Sequence, residues 1–231
     1  MTTNTITHSL LANQQSRQWG GCGHWSDWAG ALFSVAFSIF IFTRSPLFSI
    51  LLLPAIAHDI LVAVSFLARH RSKRGFSTWY ARGVAYGATY VIPIFMIFAQ
   101  TWYPHWLART RNTSLTALGG GLWLFGSVFG LWAVWSLRRS FSFEPQAREL
   151  VISGPYTIAR HPIYLSYVFQ CTGILLAHLT IAFSLIYAVW FALMFIRARF
   201  EEHILLATFP AYETYRHHVG MFGPVLLRKL V

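Results

Sequence analysis

The chain has 231 residues, of which 55% are hydrophobic and only 11% carry a charge. A soluble globular domain needs more polar surface than this, so the composition excludes that class and indicates an integral membrane protein. The net charge of +11 therefore indicates basic cytoplasmic loops and contact with anionic lipid, rather than nucleic-acid binding.

Apolar runs of about 20 residues, the length that crosses the hydrocarbon core, divide most of the chain. Residues 1–24 are polar and have no signal-peptide core, so we expect the first span to direct membrane insertion. The predicted spans are 25–42, 46–68, 83–103, 117–137 and two short helices within 162–196, separated by a turn at His178 and Thr180. After Arg197 an amphipathic pattern predicts a helix on the membrane surface.

These elements predict an all-α polytopic fold with five or six transmembrane helices and a C-terminal cytoplasmic amphipathic helix. Five spans would result if one segment is re-entrant or the short hairpin does not cross. Placing the N-terminus in the cytoplasm puts most basic loop residues inside and only Arg44, Arg109 and Arg111 outside. Both termini are therefore expected in the cytoplasm, at a bacterial inner membrane or, in a eukaryote, the endoplasmic reticulum.

The stretch SGPYTIARHPIYLSY, residues 153–167, combines turn residues, charge and the start of a helix. Gly154 and Pro155 specify a turn, and Pro162 suits the first position of the next helix. The unpaired N–H groups at that helix start can hold an anionic or polar group, and Arg160 and His161 add donors beside them. A simple connecting loop is the alternative interpretation.

Two further groups of charged residues stand near or within the predicted spans. Arg197 and Glu201 are four residues apart and share a helix face, which taken alone is typical of a surface ion pair. His58 and Asp59 form an ionisable pair at membrane depth, which indicates either a substrate-facing role or a packing role. No histidine spacing predicts a metal site, although haem ligation by His58 and His178 stays open, and nucleotide-binding loops and serine elbows are absent.

Two cytoplasmic segments together carry a more specific signal than either alone. ELVISGPYTIARHPIYLSY, and after a helical hairpin RARFEEHILLATFPAYETYRHHV, resemble the isoprenylcysteine carboxyl methyltransferase family and the related phospholipid N-methyltransferases. That family has an L-V-x-x-G-x-Y-x-x-x-R-H-P-x-Y stretch and then an R-x-x-x-E-E-x-x-L stretch with later F and Y-x-x-Y. The chain departs from it at FPAY, where FGxxY is usual, and at VGMFGP, where V-P-R-x-x-P is usual.

The resemblance implies methyl transfer from S-adenosylmethionine at the cytoplasmic membrane face. Carried over by position, it implies a cofactor-binding set consisting of Arg148, Glu149, Leu150, Val151, Tyr156, His161, Pro162, Ile163, Tyr164 and Glu201. Arg197 is expected to contact the acceptor substrate. The resemblance also implies a polar N-terminal segment 1–24, variable helices shaping substrate access at 25–116, and a catalytic part at 117–231 whose family-like motifs span 149–219.

The nucleophile stays open at this point. Displacement at a sulfonium methyl needs no metal, and aligning the reactants can supply on the order of 7–11 kcal/mol. Arg197 would hold a carboxylate, as in O-methylation of an isoprenylcysteine-like acid, whereas an amine would need a base such as Glu202 or His161. N-methylation of an aminophospholipid and S-methylation of a small thiol are the alternatives. The expected acceptor is a lipidic or apolar small molecule, and no nucleic-acid partner is expected. A non-enzymatic membrane sensor or haem-binding protein is the rival from another class.

Overall fold

The described part of the chain is mostly α-helical. The computed structural model describes residues 32–33, 35–36, 39, 49–67, 74–75, 79–108, 110–137, 146–147 and 150–223. The helices are α1 Ser49–Leu67, α2 Trp79–Trp102, α3 Thr113–Leu137, α4 Pro162–Ala177, α5 Ile181–Thr208 and α6 Ala211–His218. Short 3-10 helices lie at Pro104–Leu107 and Gly154–Thr157, and two-residue strands at β1 Arg74–Gly75 and β2 Gln146–Ala147.

Helices α2, α3 and α5 contain apolar segments long enough to cross a membrane. Among the described residues these segments are Trp79–Ala99, Thr113–Leu137 and Ile181–Thr208, and the apolar helix α4 is shorter. The prediction of a helical membrane fold is therefore confirmed. The first predicted span, 25–42, lies mostly outside the described residues, so the number of spans stays a prediction.

Helices α2 and α5 pack along each other through large apolar side chains. Trp190 and Met194 of α5 are buried with Ile92 and Phe95 of α2 in the hydrophobic core. The indole Nε1 of Trp190 donates a hydrogen bond to the Ala88 carbonyl oxygen at 2.9 Å. This bond satisfies the one polar atom of a buried tryptophan and fixes α5 against α2.

Helices α3 and α4 approach closely because small residues line their interface. A Cβ at Gly126 would lie 2.7 Å from the Ser166 carbonyl oxygen and 2.9 Å from the Gln170 backbone nitrogen. Gly119 and Gly173 make a similar backbone approach, whereas Gly121 faces open space. Gly119 and Gly126 therefore allow the close helix packing that is typical of small residues between membrane helices, whereas Gly121 has no such role.

The prediction of two short helices within 162–196 is correct for the first and wrong for the second. The turn lies where expected, because His178 follows α4 and the Thr180 side chain accepts a hydrogen bond from Phe183 N at 3.2 Å. Helix α5, however, continues for 28 residues to Thr208, since no Gly or Pro interrupts it. The surface helix expected after Arg197 is therefore two elements, the end of α5 and the separate α6 after Pro210.

The small sheet joins two loops at one end of the bundle. Strands β1 and β2 are antiparallel, with Arg74 opposite Ala147 and Gly75 opposite Gln146. The loop after α1 and the loop after α3 therefore lie on the same side, as the predicted orientation requires. The beginning of α4 follows β2 in the chain and builds the polar end of the molecule.

Candidate active site

A tight turn sets the entry of the chain into α4. Gly154 adopts a φ of 63°, and a Cβ there would lie 3.1 Å from the Ser136 hydroxyl oxygen. Glycine is required because an L side chain rarely adopts this backbone conformation. The turn delivers His161 to the position just before Pro162, which is the first residue of α4.

His161 stands between two carboxylates of α5. Its Nδ1 lies 3.7 Å from Glu201 Oε2, and its Nε2 lies 3.6 Å from Glu202 Oε1. The imidazole stacks on the Tyr164 ring with a centroid separation of 5.3 Å and an interplanar angle of 4°. The start of α4 and the last turns of α5 therefore form two facing walls, one aromatic and one anionic.

Arg197 connects these walls to α2. Its Nε lies 3.5 Å from Glu201 Oε1, and its Nη1 donates a hydrogen bond to Thr89 Oγ1 at 2.8 Å. The guanidinium carbon lies 5.1 Å from the centre of the Tyr164 ring, and the Tyr164 hydroxyl donates to Glu201. Arg197 is only 5% exposed, so its charge is held inside the bundle by an ion pair, a hydrogen bond and a ring face.

Arg160 binds the end of the chain to this site. Its Nε and Nη2 both lie 2.7 Å from Glu202 Oε1. Its Nη1 donates to the carbonyl oxygens of Arg216 and Val219 at 2.8 and 2.6 Å. One guanidinium therefore ties α5 to the segment 211–222, which we call the C-terminal clasp.

Further hydrogen bonds hold the clasp in place. Backbone N–H groups of Arg160 and His161 donate to the carbonyl oxygens of Gly220 and Met221 at 2.9 and 3.1 Å. The Tyr215 hydroxyl donates to the Tyr156 carbonyl oxygen at 2.5 Å, and the Tyr212 hydroxyl donates to Glu202 Oε1 at 3.3 Å. The sequence predicted a membrane-surface helix and a family-like motif here but not these contacts, although the three-residue spacing of the tyrosines was a sign of one shared helix face.

The tyrosines around the clasp are neutral at physiological pH. Burial, with the negative charge of Glu201 nearby, raises the pKa of Tyr156 well above its ordinary value. Burial raises the pKa of Tyr215 to about 12, despite the opposing charge of Arg160. Both hydroxyls therefore remain available as hydrogen-bond donors across the working pH range.

The other residues in the predicted cofactor set are distributed around this cluster. Pro162 and Ile163 are buried in the first turn of α4, and Leu150 and Val151 are half-buried in the segment leading to the Gly154 turn. Arg148 and Glu149 lie outside the described residues. The structure thus brings together His161, Tyr164, Arg197, Glu201 and Glu202, and it adds Thr89 and Arg160 to them.

The histidines left open as haem ligands are far apart. The His58 ring contacts Tyr167 edge-to-face at 5.6 Å, and His178 lies eleven residues beyond Tyr167 along α4 and its cap. At 1.5 Å per residue this is a separation of roughly 16 Å, too long for two axial ligands of one iron. Within the described part of the chain, no three His, Cys, Asp or Glu side chains converge as a metal-binding group.

Comparison with known proteins gives one family and two named relatives. Residues 114–211 match the family model described as phospholipid methyltransferase. The chain is 28% identical to the nickel-cobalt-cadmium resistance protein NccN of Alcaligenes xylosoxydans xylosoxydans over 163 residues, 70% of this chain and 68% of that protein. It is also 28% identical to the cobalt-zinc-cadmium resistance protein CzcN of Cupriavidus metallidurans over 163 residues, 70% and 67% of the two chains.

Proposed function

We propose that this chain, whose residues 114–211 belong to the phospholipid methyltransferase family, is an integral membrane methyltransferase that uses S-adenosylmethionine. The acceptor is apolar or lipidic and reaches the site from the bilayer. The observation that carries the proposal is the convergence of His161, Tyr164, Arg197 and Glu201 at one end of long apolar helices. All four residues lie within the segment that the family model matches.

The residues of the site suit a cationic methyl donor. S-adenosylmethionine, when bound, supplies an electrophilic methyl group on a positively charged sulfur. Stacked His161 and Tyr164 rings offer aromatic faces, and Glu201 offers a carboxylate, both of which stabilise a cation. Within the described part of the chain His161 Nε2 makes no hydrogen bond, and Glu202 Oε1 lies 3.6 Å from it.

The start of α4 provides the complementary donors. First-turn N–H groups of a helix have no intrahelical partner, and the helix dipole there favours an anion such as an amino-acid carboxylate. Pro162 has no N–H, so the donors of that turn are the backbone N–H groups of Ile163 and Tyr164. The half-buried Leu150 and Val151 precede the Tyr156 turn in the chain, and we assign them to the apolar lining. We assign Arg148 and Glu149 to the same cofactor set by resemblance alone.

Glu202 has a positioning role in this proposal. Its carboxylate is paired with Arg160 and accepts a hydrogen bond from Tyr212, which stabilises the charged form and weakens it as a proton acceptor. We therefore propose that Glu202 anchors the clasp, and that it is not the base expected from the sequence. His161 keeps its proposed cofactor-binding role.

The acceptor class has support from two sides. Arg197 can hold a carboxylate, as the expected O-methylation of an isoprenylcysteine-like acid requires, although Glu201 already balances its charge. The description of the matched family names a phospholipid, which supports the alternative of N-methylation of an aminophospholipid. The relatives' names concern metal resistance, and we base no proposal on metal binding.

The same proposal places the site on the cytoplasmic side. The sheet brings the loop after α1 and the loop after α3 to one end, and both are the basic loops of the predicted orientation. Both termini would then be cytoplasmic, with five or six spans. The named relatives come from bacteria, so the inner membrane is the proposed location.

Methyl transfer into the host's own membranes tests the proposal. Purified protein in lipid nanodiscs would be incubated with those membranes and S-adenosylmethionine labelled in the methyl group. Product extraction would then separate the lipid, protein and volatile fractions. We expect label in one fraction with wild-type protein and at most a few per cent of it with Glu201→Gln. Glu213→Gln, an exposed carboxylate on α6, is the matched control and should transfer normally. No transfer together with a haem absorption band in the pure protein would refute the proposal.

A further inference from the structure

The pair His58 and Asp59 of α1 lies inside the helix bundle, outside the segment that the family model matches. His58 is 2% exposed, and its Nδ1 lies 3.1 Å from Asp59 Oδ1. Its Nε2 is buried and has no hydrogen-bond partner within the described part of the chain. A buried polar atom without a partner is costly, so a ring fixed at one nitrogen and bare at the other suggests a ligand.

The His58 ring packs between α3 and α4, against Gly130 and Tyr167. A Cβ at Gly130 of α3 would lie 3.1 Å from His58 Cδ2 and 2.7 Å from Ser166 Oγ. The absence of a side chain at Gly130 therefore makes room for the imidazole between α3 and α4. On α4 the ring meets the edge of Tyr167.

Tyr167 lies between this pair and the proposed methyl-transfer site. Its ring meets the His58 ring edge-to-face, with 5.6 Å between the centroids. Tyr164, which contacts Arg197 and Glu201, precedes Tyr167 by three residues on the same helix. Three residues rise about 4.5 Å, so the pair lies about one helical turn deeper in the bundle than the Arg197 site.

We propose that His58 is the proton acceptor for a nucleophile that enters the site still carrying a proton. Asp59 orients the His58 ring and stabilises its protonated form. This inference rests on the proposed methyltransferase function. With Nδ1 donating to Asp59, the neutral imidazole presents the Nε2 lone pair, which is the arrangement that a histidine base backed by a carboxylate requires. The acceptor atom is then the nitrogen of an amine or the sulfur of a thiol, because a carboxylate has no proton to lose at neutral pH.

The chemical step balances with these groups. The acceptor nitrogen or sulfur forms its bond to the methyl carbon, while the electron pair of the carbon–sulfonium bond stays with the donor sulfur. The proton of the acceptor passes to His58 Nε2. Among the described residues, the titratable groups that the structure shows in contact with the His58 ring are Asp59 of α1 and Tyr167 of α4. Helix α3 contributes Gly130 at this point, and Arg197 of α5 belongs to the neighbouring Tyr164 site.

The test measures turnover of three acceptor classes by the full chain in nanodiscs. The probes are an ethanolamine phospholipid, a long-chain alkyl thiol and a farnesyl-cysteine carboxylate. The variants are His58→Gln and Asp59→Asn, with His105→Gln, an exposed histidine on the Pro104–Leu107 turn, as the matched control. Cofactor affinity is measured in parallel by equilibrium dialysis.

We expect wild-type protein to methylate the amine or the thiol, and the successful probe identifies which. His58→Gln should lower that kcat on the order of 100-fold or more, leave cofactor affinity within about 2-fold, and change the pH profile of kcat, because the proton acceptor is removed. Asp59→Asn should reduce the rate less and should also alter that pH profile, which keeps the test valid if His58→Gln does not fold. His105→Gln should behave like wild type.

Two groups of results distinguish failure of the proposed His58 role from failure of the proposed methyltransferase function. Unchanged kcat and pH profile in both variants would overturn the inference, as would turnover of the carboxylate alone or cofactor binding without turnover of any of the three probes. In these cases the methyltransferase proposal can still stand on transfer to host membranes. Absence of both cofactor binding and transfer to host membranes would instead overturn the proposed function.

Discussion

Helix α4 is held by two different kinds of contact. Along its length it packs on α3 through glycines and backbone atoms, with Gly126 against Ser166 and Gln170. At its beginning it is surrounded by charged groups, with His161 between two carboxylates and Arg160 bonded to Glu202 and the clasp. The glycine contacts contain no ionisable side chains and fix the backbone of α4 against α3. The charged groups at the beginning of α4 are the proposed reactive side chains, and their positions depend on that fixed backbone.

This difference separates stability from activity. Close packing of small residues tolerates no added side chain, because backbone atoms cannot move away as flexible side chains can. Substitutions that preserve side-chain shape should be tolerated by the fold in the charged region, but each of them removes a charge or a hydrogen-bond donor from the site. Variants in the first region should therefore lose folded protein, and variants in the second should fold and lose function.

Gly126→Leu should have the largest effect. A Cβ at this position already overlaps the Ser166 carbonyl oxygen at 2.7 Å, and the remaining leucine atoms have no room between α3 and α4. We expect a loss of about 3 kcal/mol or more in the free energy of unfolding, measured by denaturant titration in detergent micelles. Gly121→Leu, which faces open space on the same helix, is the control and should unfold like wild type.

Glu201→Gln should fold and lose turnover. The substitution preserves shape but removes the charge that faces His161, Arg197 and Tyr164. We expect kcat/KM for methyl transfer to fall on the order of 100-fold, because stabilisation of a buried cation is lost. A melting profile that matches wild type, together with undiminished turnover, would show that the anionic wall is not part of the reaction.

Arg160→Gln should have an intermediate effect, mainly on cofactor affinity. It removes the ion pair with Glu202 and the hydrogen bonds to the Arg216 and Val219 carbonyl oxygens, so the clasp is released from α5. We expect the Kd for S-adenosylmethionine to rise about 10-fold, in line with the loss of charged hydrogen bonds, while kcat at saturation changes little. Faster proteolysis within residues 211–222 would accompany it, and an unchanged Kd with an intact clasp would contradict this role.

Tyr215→Phe should have the smallest effect. It removes one hydrogen bond, from the Tyr215 hydroxyl to the Tyr156 carbonyl oxygen, and leaves the ring in place. We expect about 1 kcal/mol of stability to be lost and turnover to stay within about 2-fold of wild type. Tyr103→Phe, an exposed tyrosine after α2, serves as control, and a drop in turnover approaching that of Glu201→Gln would place Tyr215 in the site itself.

The sequence predicted the charged region better than it predicted the helices around it. Proline at the start of α4 and the four-residue spacing of Arg197 and Glu201 are local signals, so the sequence predicted where α4 begins and which α5 side chains pair. Thr89 and the clasp could not be found in this way, because their contacts join residues that are far apart in the chain: Arg197 bonds to Thr89 of α2, and Arg160 to Val219. The end of α5 was misjudged because the change from apolar to amphipathic sequence suggested a break that no Gly or Pro provides before Thr208.

Cofactor binding at His161 is central to the proposed methyltransferase function. Equilibrium dialysis with labelled S-adenosylmethionine would compare wild-type protein, His161→Ala and His203→Ala, the last being an exposed histidine on the same end of α5. We expect saturable binding by wild type and His203→Ala, and a Kd at least 10-fold higher for His161→Ala, which corresponds to about 1.4 kcal/mol. Equal affinity in all three proteins, or no saturable binding by wild type, would contradict cofactor binding at His161.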